Sequence, residues 1–175
     1  MADPSRDVYV MVGDGSYLMM ASEIVTSIQE GYKLNIVLLD NHGFGSIGAL
    51  SQSLGSSGFG TEYRYREPRT GQLSGDHLPV DFVKLAEGMG AHAVRAETRA
   101  DVEQALRTMR EHDRTTVVVV EVDKWESVPG YESWWDVPMS EVSQIESIRL
   151  AREGYDESLK NERHYEPATM EKIKA

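Results

Sequence analysis

Apolar residues fall along this chain in two alternating rhythms, and the alternation outlines a fold. Asp7-Val-Tyr-Val-Met-Val12 is a run of β-branched and aromatic residues and reads as a strand. Between Tyr17 and Gly31, residues Leu18, Ala21, Val25 and Ile28 recur at helical spacing, which predicts one helix with those four as its apolar face. Leu34-Asn-Ile-Val-Leu-Leu39 is a second strand and ends in Asp40-Asn41-His42-Gly43. A strand, helix and strand over this length fit a right-handed parallel crossover. Pro79 to Met89 predicts a helix with Phe82, Leu85, Ala86 and Met89 on one face, and Ala91 to Ala96 a short strand. A further helix runs from Thr98 or Arg99 to Glu111, with Val102, Ala105, Leu106 and Met109 apolar. Thr115-Thr-Val-Val-Val-Val-Glu-Val122 is the clearest strand, and its continuous β-branched run suits burial on both faces of a parallel sheet. Four strands alternating with helices predict a three-layer α/β sandwich with a mostly parallel sheet.

Two stretches break the pattern. From Gly43 to Gly75, eight glycines fall in thirty-three residues and no apolar period is sustained. This segment predicts a long loop with a short helix near Ile47–Leu54. Because it leaves directly from Asn41, residues 44–78 are expected to form a mobile lid over whatever binds there. Tyr63-Arg-Tyr-Arg66 within it reads equally as a contact for an acidic or hydroxylated substrate and as a solvated basic patch. The second break follows Val122. Trp125, Tyr131, Trp134 and Trp135 cluster within eleven positions, with Pro129 and Pro138 breaking helices, which suggests a docking segment. Ser143 and Glu146 have capping-box spacing, and Ile145, Ile148, Arg152, Tyr155 and Leu159 form a mostly apolar helical stripe. The expected division is an α/β domain over residues 1–122 and an aromatic-rich segment with a carboxyl-terminal helix over 123–175.

The chemistry sits where the first two strands end. Gly13-Asp14-Gly15-Ser16 follows the first, and Asn41 follows the second, twenty-seven positions after Asp14. Parallel strands place both at carboxyl ends, where α/β sheets bind their ligands. Gly13 and Gly15 allow a sharp turn and close backbone approach, and the amides of Gly15, Ser16 and Tyr17 can donate to an anion. Asp14 would repel that anion unless a cation lay between them. A carboxylate, an amide oxygen and phosphate oxygens suit Mg²⁺, so a diphosphate carried by Mg²⁺ is the most economical ligand. A Rossmann reading fits worse, because the third small residue of Gly-x-Gly-x-x-Gly falls on Leu18. No Gly-Lys-Ser/Thr marks a Walker loop.

Composition narrows the partners. A formal charge of −11 offers no basic stripe to nucleic acid. Zero Cys removes disulfides, thiolate-bound zinc and thiol catalysis, and is compatible with a cytoplasmic protein. No apolar stretch approaches the roughly twenty residues that span a bilayer, so no membrane partner is expected. His42 and His77 stand next to the candidate site and at the end of the glycine-rich loop, each equally well a site or a turn residue. His92, His112 and His164 read as strand or surface residues. No Gly-x-Ser-x-Gly marks a serine hydrolase.

Gly13-Asp14-Gly15-Ser16, with Asp40-Asn41-His42-Gly43 at the matching interval, resembles the metal motif of thiamine-diphosphate enzymes. The resemblance implies that Asp14, the Asn41 side chain and the Gly43 carbonyl coordinate Mg²⁺, and that thiamine diphosphate lies against Gly13, Asp14, Gly15, Ser16, Asn41 and Gly43. Position 40 departs from the commoner Asn but precedes the ligand. Glu132-Ser-Trp-Trp-Asp-Val-Pro-Met-Ser-Glu-Val-Ser143, after Gly43-Phe-Gly-Ser-Ile-Gly48, is similar to the branch of that family that hydrolyses a ring carbon–carbon bond in a trihydroxylated cyclic diketone during inositol catabolism.

The resemblance further implies a homo-oligomer whose cofactor lies between this domain and a pyrimidine-binding domain of the same enzyme, supplied by another subunit. That second domain carries the Glu that activates the cofactor ring, so no catalytic residue is assigned here. The chain is expected to be a carboxyl-terminal piece that does not turn over substrate alone. Two other readings stay open: an acetolactate-synthase-like or 2-oxo-acid decarboxylating enzyme, and a non-catalytic module for a phosphorylated ligand or partner protein.

Overall fold

The computed structural model describes residue 3, residues 5–124, 126 and 128, and residues 136–162. The described residues form two compact units, one drawn from 1–49 and 58–127 and the other from 50–57 and 128–175.

The first unit is built on four strands, β1 (Val8–Gly13), β2 (Leu34–Asp40), β3 (His92–Ala96) and β4 (Thr116–Glu121). All neighbours run parallel in the order β1-β2-β4-β3, with Val12 opposite Leu38 and Leu38 opposite Val119. One face of the sheet presents Ile36, Leu38, Ala93, Val117 and Val119 to Tyr17, Ile24, Phe82 and Ala86. These come from α1 (Asp14–Met20), α2 (Glu23–Gln29) and α4 (Phe82–Gly88). The opposite face presents Ala96 and Val118 to Ala105 and Met109 of α5 (Arg99–Glu111). Helices on both faces make the predicted three-layer sandwich. Val117, Val118 and Val119 have no exposed surface, because β4 is central and covered on both sides.

The predicted helix 17–31 is two helices. Tight bonds from Ile24 N to Ala21 O (3.1 Å) and Val25 N to Ser22 O (2.9 Å) close a turn between α1 and α2. The buried face is Tyr17, Ile24 and Ser27, whereas Leu18, Val25 and Ile28 are exposed by 39–49%. Ser27 is tolerated inside because its hydroxyl shares a 2.7 Å hydrogen bond with Thr115 Oγ1. The start of α5 is set by a capping box: Thr98 Oγ1 accepts from Asp101 N, and Asp101 Oδ2 accepts from Thr98 N at 2.9 Å. Its far end is capped by Lys33, whose Nζ donates to the carbonyls of Met109, Arg110 and His112 at 3.0–3.2 Å.

The glycine-rich segment contains α3 (Gly45–Ser53), close to the short helix predicted there. Beyond Gly58 its backbone is laddered. Phe44 N donates to Thr61 O, Tyr63 N to His42 O, and Leu78 N to Tyr63 O, all within 3.0 Å. Arg64 bonds Glu62 and the Gly75 carbonyl, and Arg66 bonds the Gly71 carbonyl, so both guanidinium groups brace the segment.

The second unit holds α6 (Glu146–Leu159), whose Tyr155 is buried and donates to Asp136 Oδ1 at 2.8 Å. Ile148, Arg152, Tyr155 and Leu159 are its less exposed positions, in keeping with the predicted stripe; Ile145 is exposed and precedes the helix. Ser143 does not cap it. The N-cap is Ile145, and Ser143 Oγ accepts from Ile145 N two residues on, a local turn that displaces the capping box. Trp125, Pro129, Tyr131, Trp134, Trp135 and His164 lie outside the described residues. Among the described residues no helix is long and apolar enough to cross a membrane.

Candidate cofactor and metal site

The carboxyl ends of β1 and β2 lie side by side, with Gly13 in register with Leu39, so the segments leaving them meet. Gly13 is the N-cap of α1 at φ −76° and ψ 154°, a conformation open to any L residue, and no side chain caps the helix. Asp14 opens the helix and is fully buried; Gly15 is buried and Ser16 exposed. Glycine at 15 serves packing rather than turning: a Cβ there would sit 2.6 Å from Cδ1 of Phe44. The sharp turn expected at Gly13–Gly15 is therefore an extended residue passing straight into a helix.

On the β2 side the turn is sharper. Asp40 Oδ1 accepts from His42 N at 3.1 Å, an Asx turn. It helps hold His42 at φ 60°, the one positive φ outside glycine among the described residues, which costs about 1–2 kcal/mol. That kink turns the Gly43 backbone toward Asp14, and Gly43 N donates to Asp14 Oδ2 at 2.8 Å. Gly43 must be glycine: a Cβ would lie 2.9 Å from Glu62 Cα and closer still to the Thr61 carbonyl.

Asp14, Asn41 and Gly43 thereby converge. One terminal atom of the Asn41 amide lies 3.0 Å from Asp14 Oδ1 and 2.8 Å from the Gly43 carbonyl oxygen. With nitrogen in that position the amide donates to both. With oxygen there, Asp14 Oδ1 and the Gly43 carbonyl oxygen each lie at a separation from it that suits two oxygens bound to one Mg²⁺, about 2.9 Å for metal–oxygen bonds of 2.0–2.1 Å. The same side chain can thus hold the turn closed by donating or, flipped, offer an oxygen beside those of Asp14 and Gly43. Among the described residues no three His, Cys, Asp or Glu side chains gather as a metal site, so a cation here depends on the neutral oxygens of Asn41 and Gly43.

Electrostatics agree with a cation. Burial raises the Asp14 pKa above the usual carboxylate range; the Gly43 hydrogen bond opposes the shift and the nearby Asp40 charge adds to it. Asp40 is itself only 2% exposed. Tyr63 adds a phenol whose pKa is pushed up to about 12 by burial, then by Asp14 and Asp40. Its buried hydroxyl has no hydrogen-bond partner among the described residues. Around the turn, the His42 and His77 rings stack with centroids 4.9 Å apart. His42 Nε2 reaches Glu121 Oε1 and His77 Nε2 reaches Glu62 Oε2, each at 3.1 Å.

Of the residues singled out in the sequence, the structure brings Asp14, Asn41 and Gly43 together, with Gly13 and Gly15 on the same strand–helix junction. Ser16 points to solvent. Glu62 and the packing role of Phe44 escaped that reading, Tyr63 entered it only as a substrate contact or basic patch, and Asp40 only as a departure from the commoner Asn.

The model of the family described as "Thiamine pyrophosphate enzyme, C-terminal TPP binding domain" matches residues 1–120. The chain belongs to that family and is a thiamine pyrophosphate-binding domain. Its relatives include the 3D-(3,5/4)-trihydroxycyclohexane-1,2-dione hydrolase of Geobacillus thermodenitrificans (strain NG80-2), 43% identical over 165 residues that make up 94% of this chain and 26% of that protein. The hydrolase of the same name from Clostridium botulinum (strain Alaska E43 / Type E3) is 42% identical with the same coverage. The chain therefore spans about a quarter of the length of the curated relatives it matches. Among solved structures, the thiamine diphosphate-dependent 4-hydroxybenzoylformate decarboxylase of Rhodococcus jostii RHA1 superposes with a TM-score of 0.55 at 25% identity, covering 70% of this chain and 21% of that one. The family and fold implied by the Gly-Asp-Gly and Asn41 motif are borne out.

Proposed function

We propose that this chain holds the diphosphate and Mg²⁺ of thiamine diphosphate within a larger cytoplasmic, homo-oligomeric enzyme. That enzyme hydrolyses a ring carbon–carbon bond of 3D-(3,5/4)-trihydroxycyclohexane-1,2-dione to 5-deoxy-glucuronate. The observation that carries the reading is that one terminal atom of the Asn41 amide lies 3.0 Å from Asp14 Oδ1 and 2.8 Å from the Gly43 carbonyl oxygen. Asp14, Asn41 and Gly43 supply the metal oxygens, and Gly13, Gly15 and Ser16 supply backbone to the diphosphate. Bound there, the cofactor supplies an electron sink for carbon–carbon cleavage. This chain's residues fix its tail, with Asp14 buried beside the Phe44 ring that packs on Gly15. Activation of the cofactor ring falls to a Glu on a pyrimidine-binding domain of another subunit. The diketone is favoured by two relatives of that name at 42–43% identity across 94% of the chain.

The test is to give the full-length protein Mg²⁺, thiamine diphosphate and either the diketone or a panel of 2-oxo acids, following products by NMR. Ring opening to 5-deoxy-glucuronate is expected. Faster decarboxylation of a 2-oxo acid would reassign the substrate, and no cofactor binding at all would leave a non-catalytic module.

A further inference from the structure

The turn that carries Gly43 depends on a segment the metal motif does not include. Residues 61–63 lie antiparallel to 42–44: Gly43 bridges Glu62, Phe44 N donates to Thr61 O at 2.8 Å, and Tyr63 N donates to His42 O at 3.0 Å. The contact is close enough that no Cβ fits on Gly43 beneath it. What keeps this segment in place is the Glu62 side chain. Its Oε1 meets Lys124 Nζ at 2.8 Å, and its Oε2 meets Arg64 Nε at 2.6 Å and His77 Nε2 at 3.1 Å. Lys124 stands just past β4, where Val122 N donates to Asp40 O at 2.9 Å, so this anchor belongs to the sheet itself. His77 stacks on His42, the kinked residue between Asn41 and Gly43. One carboxylate thus joins the sheet end, the returning loop and the ring that packs on the kink. Burial works against the Glu62 charge, but hydrogen bonds from Lys124, His77 and Arg64 outweigh it and hold its pKa at about 2.

We propose that Glu62 is a positioning residue for the cofactor's metal: anchored to Lys124, Arg64 and His77, it presses residues 61–63 against the His42 turn and so aims the Gly43 carbonyl at the cation. A kinked residue keeps its conformation only while its surroundings over-determine it, and Glu62 supplies that constraint from outside the motif. Supporting groups of this kind, one step removed from a metal, commonly change affinity 10- to 100-fold.

The inference rests on the Mg²⁺–thiamine diphosphate reading, and the experiment separates the two. In the full-length protein, Glu62→Gln is expected to raise the Mg²⁺ dissociation constant at saturating thiamine diphosphate about tenfold by calorimetry. It should also speed amide exchange at Phe44 and Tyr63. Because the same three ion pairs also stabilise the fold, the apo melting temperature should fall by a few degrees, whereas kcat at saturating Mg²⁺ should stay within about twofold. Lys124→Met, which removes the sheet anchor but leaves the carboxylate, should move the Mg²⁺ constant the same way by a smaller factor and decides the matter if Glu62→Gln does not fold. Unchanged Mg²⁺ affinity in the variants overturns the proposal, as does an equal affinity loss in Met109→Ala, which destabilises the core on the other face of the sheet without touching the Gly43 turn. Failure of the unmodified protein to bind Mg²⁺ with the cofactor would instead overturn the underlying reading.

Discussion

Asp14→Ala in the full-length protein is expected to weaken Mg²⁺-dependent thiamine diphosphate binding by about two orders of magnitude or more, the upper end of what even indirect metal contacts cost. Asp14 is the one charged group in the proposed oxygen set, and Asn41 and Gly43 can offer a divalent ion only neutral dipoles. The substitution also strips Gly43 N of its 2.8 Å acceptor inside a buried site. A lost partner of that kind costs about 1–3 kcal/mol, offset in part because burying the carboxylate is itself unfavourable, as its raised pKa records. The fold should therefore survive a change that removes the ligand. Calorimetry with and without Mg²⁺, paired with a melting curve, checks both halves. Undiminished cofactor affinity in a folded variant would remove Asp14 from the metal.

Residues 1–175 by themselves are expected to hydrolyse the diketone at less than about 10⁻⁵ of the full-length rate, the scale of what lost orientation alone costs. The acids nearest the proposed site are already engaged. Asp14 accepts from Gly43 N, and Asp40 accepts from His42 N. Glu62 is tied to Lys124, Arg64 and His77. Glu23 opens α2, away from the strand ends. Holding the diphosphate would fix one end of the cofactor and leave its reactive ring without the pyrimidine-binding domain proposed to orient it. Assaying the chain with Mg²⁺ and thiamine diphosphate, alone and beside the full-length protein, settles the division of labour. Comparable rates would place the activating acid within this chain.

How much of this was legible depended on how local each feature is. The strands were readable because β2 and β4 are runs of β-branched and aliphatic residues that a sheet buries. The meeting of Asp14 with Asn41, the proposed metal motif, was readable because both belong to one strand–helix–strand unit with a fixed interval. Helical spacing, by contrast, gives a period but not its phase. Leu18, Val25 and Ile28 lie one residue beyond Tyr17, Ile24 and Ser27, and the sheet buries the latter. Tertiary contacts chose the phase, through Phe82 edge-on to Tyr17 at 6.0 Å and Thr115 bonded to Ser27. The break at Ala21 and Ser22 left no mark because both stay right-handed, near φ −58° and ψ −20 to −26°. The Glu62 cluster was out of reach for another reason: it joins positions 42, 62, 77 and 124, which no periodicity relates.

Gly13 shows what a stability screen of this domain would overlook. Its φ and ψ are ordinary, and a Cβ built there meets nothing within 4 Å. Judged by folding alone, alanine would look almost free. The roughly 0.4–1 kcal/mol gained by restricting the unfolded chain is balanced by the preference of helix N-caps for glycine over alanine. The open space lies at the mouth of the proposed diphosphate site, so the penalty would be levied only on the loaded enzyme. Gly13→Ala should accordingly melt within about 1 °C of the parent without ligand and fall behind it once thiamine diphosphate and Mg²⁺ are added; equal gains on loading would count against this. Selection acting on the working enzyme would preserve a glycine that selection for folding would let drift.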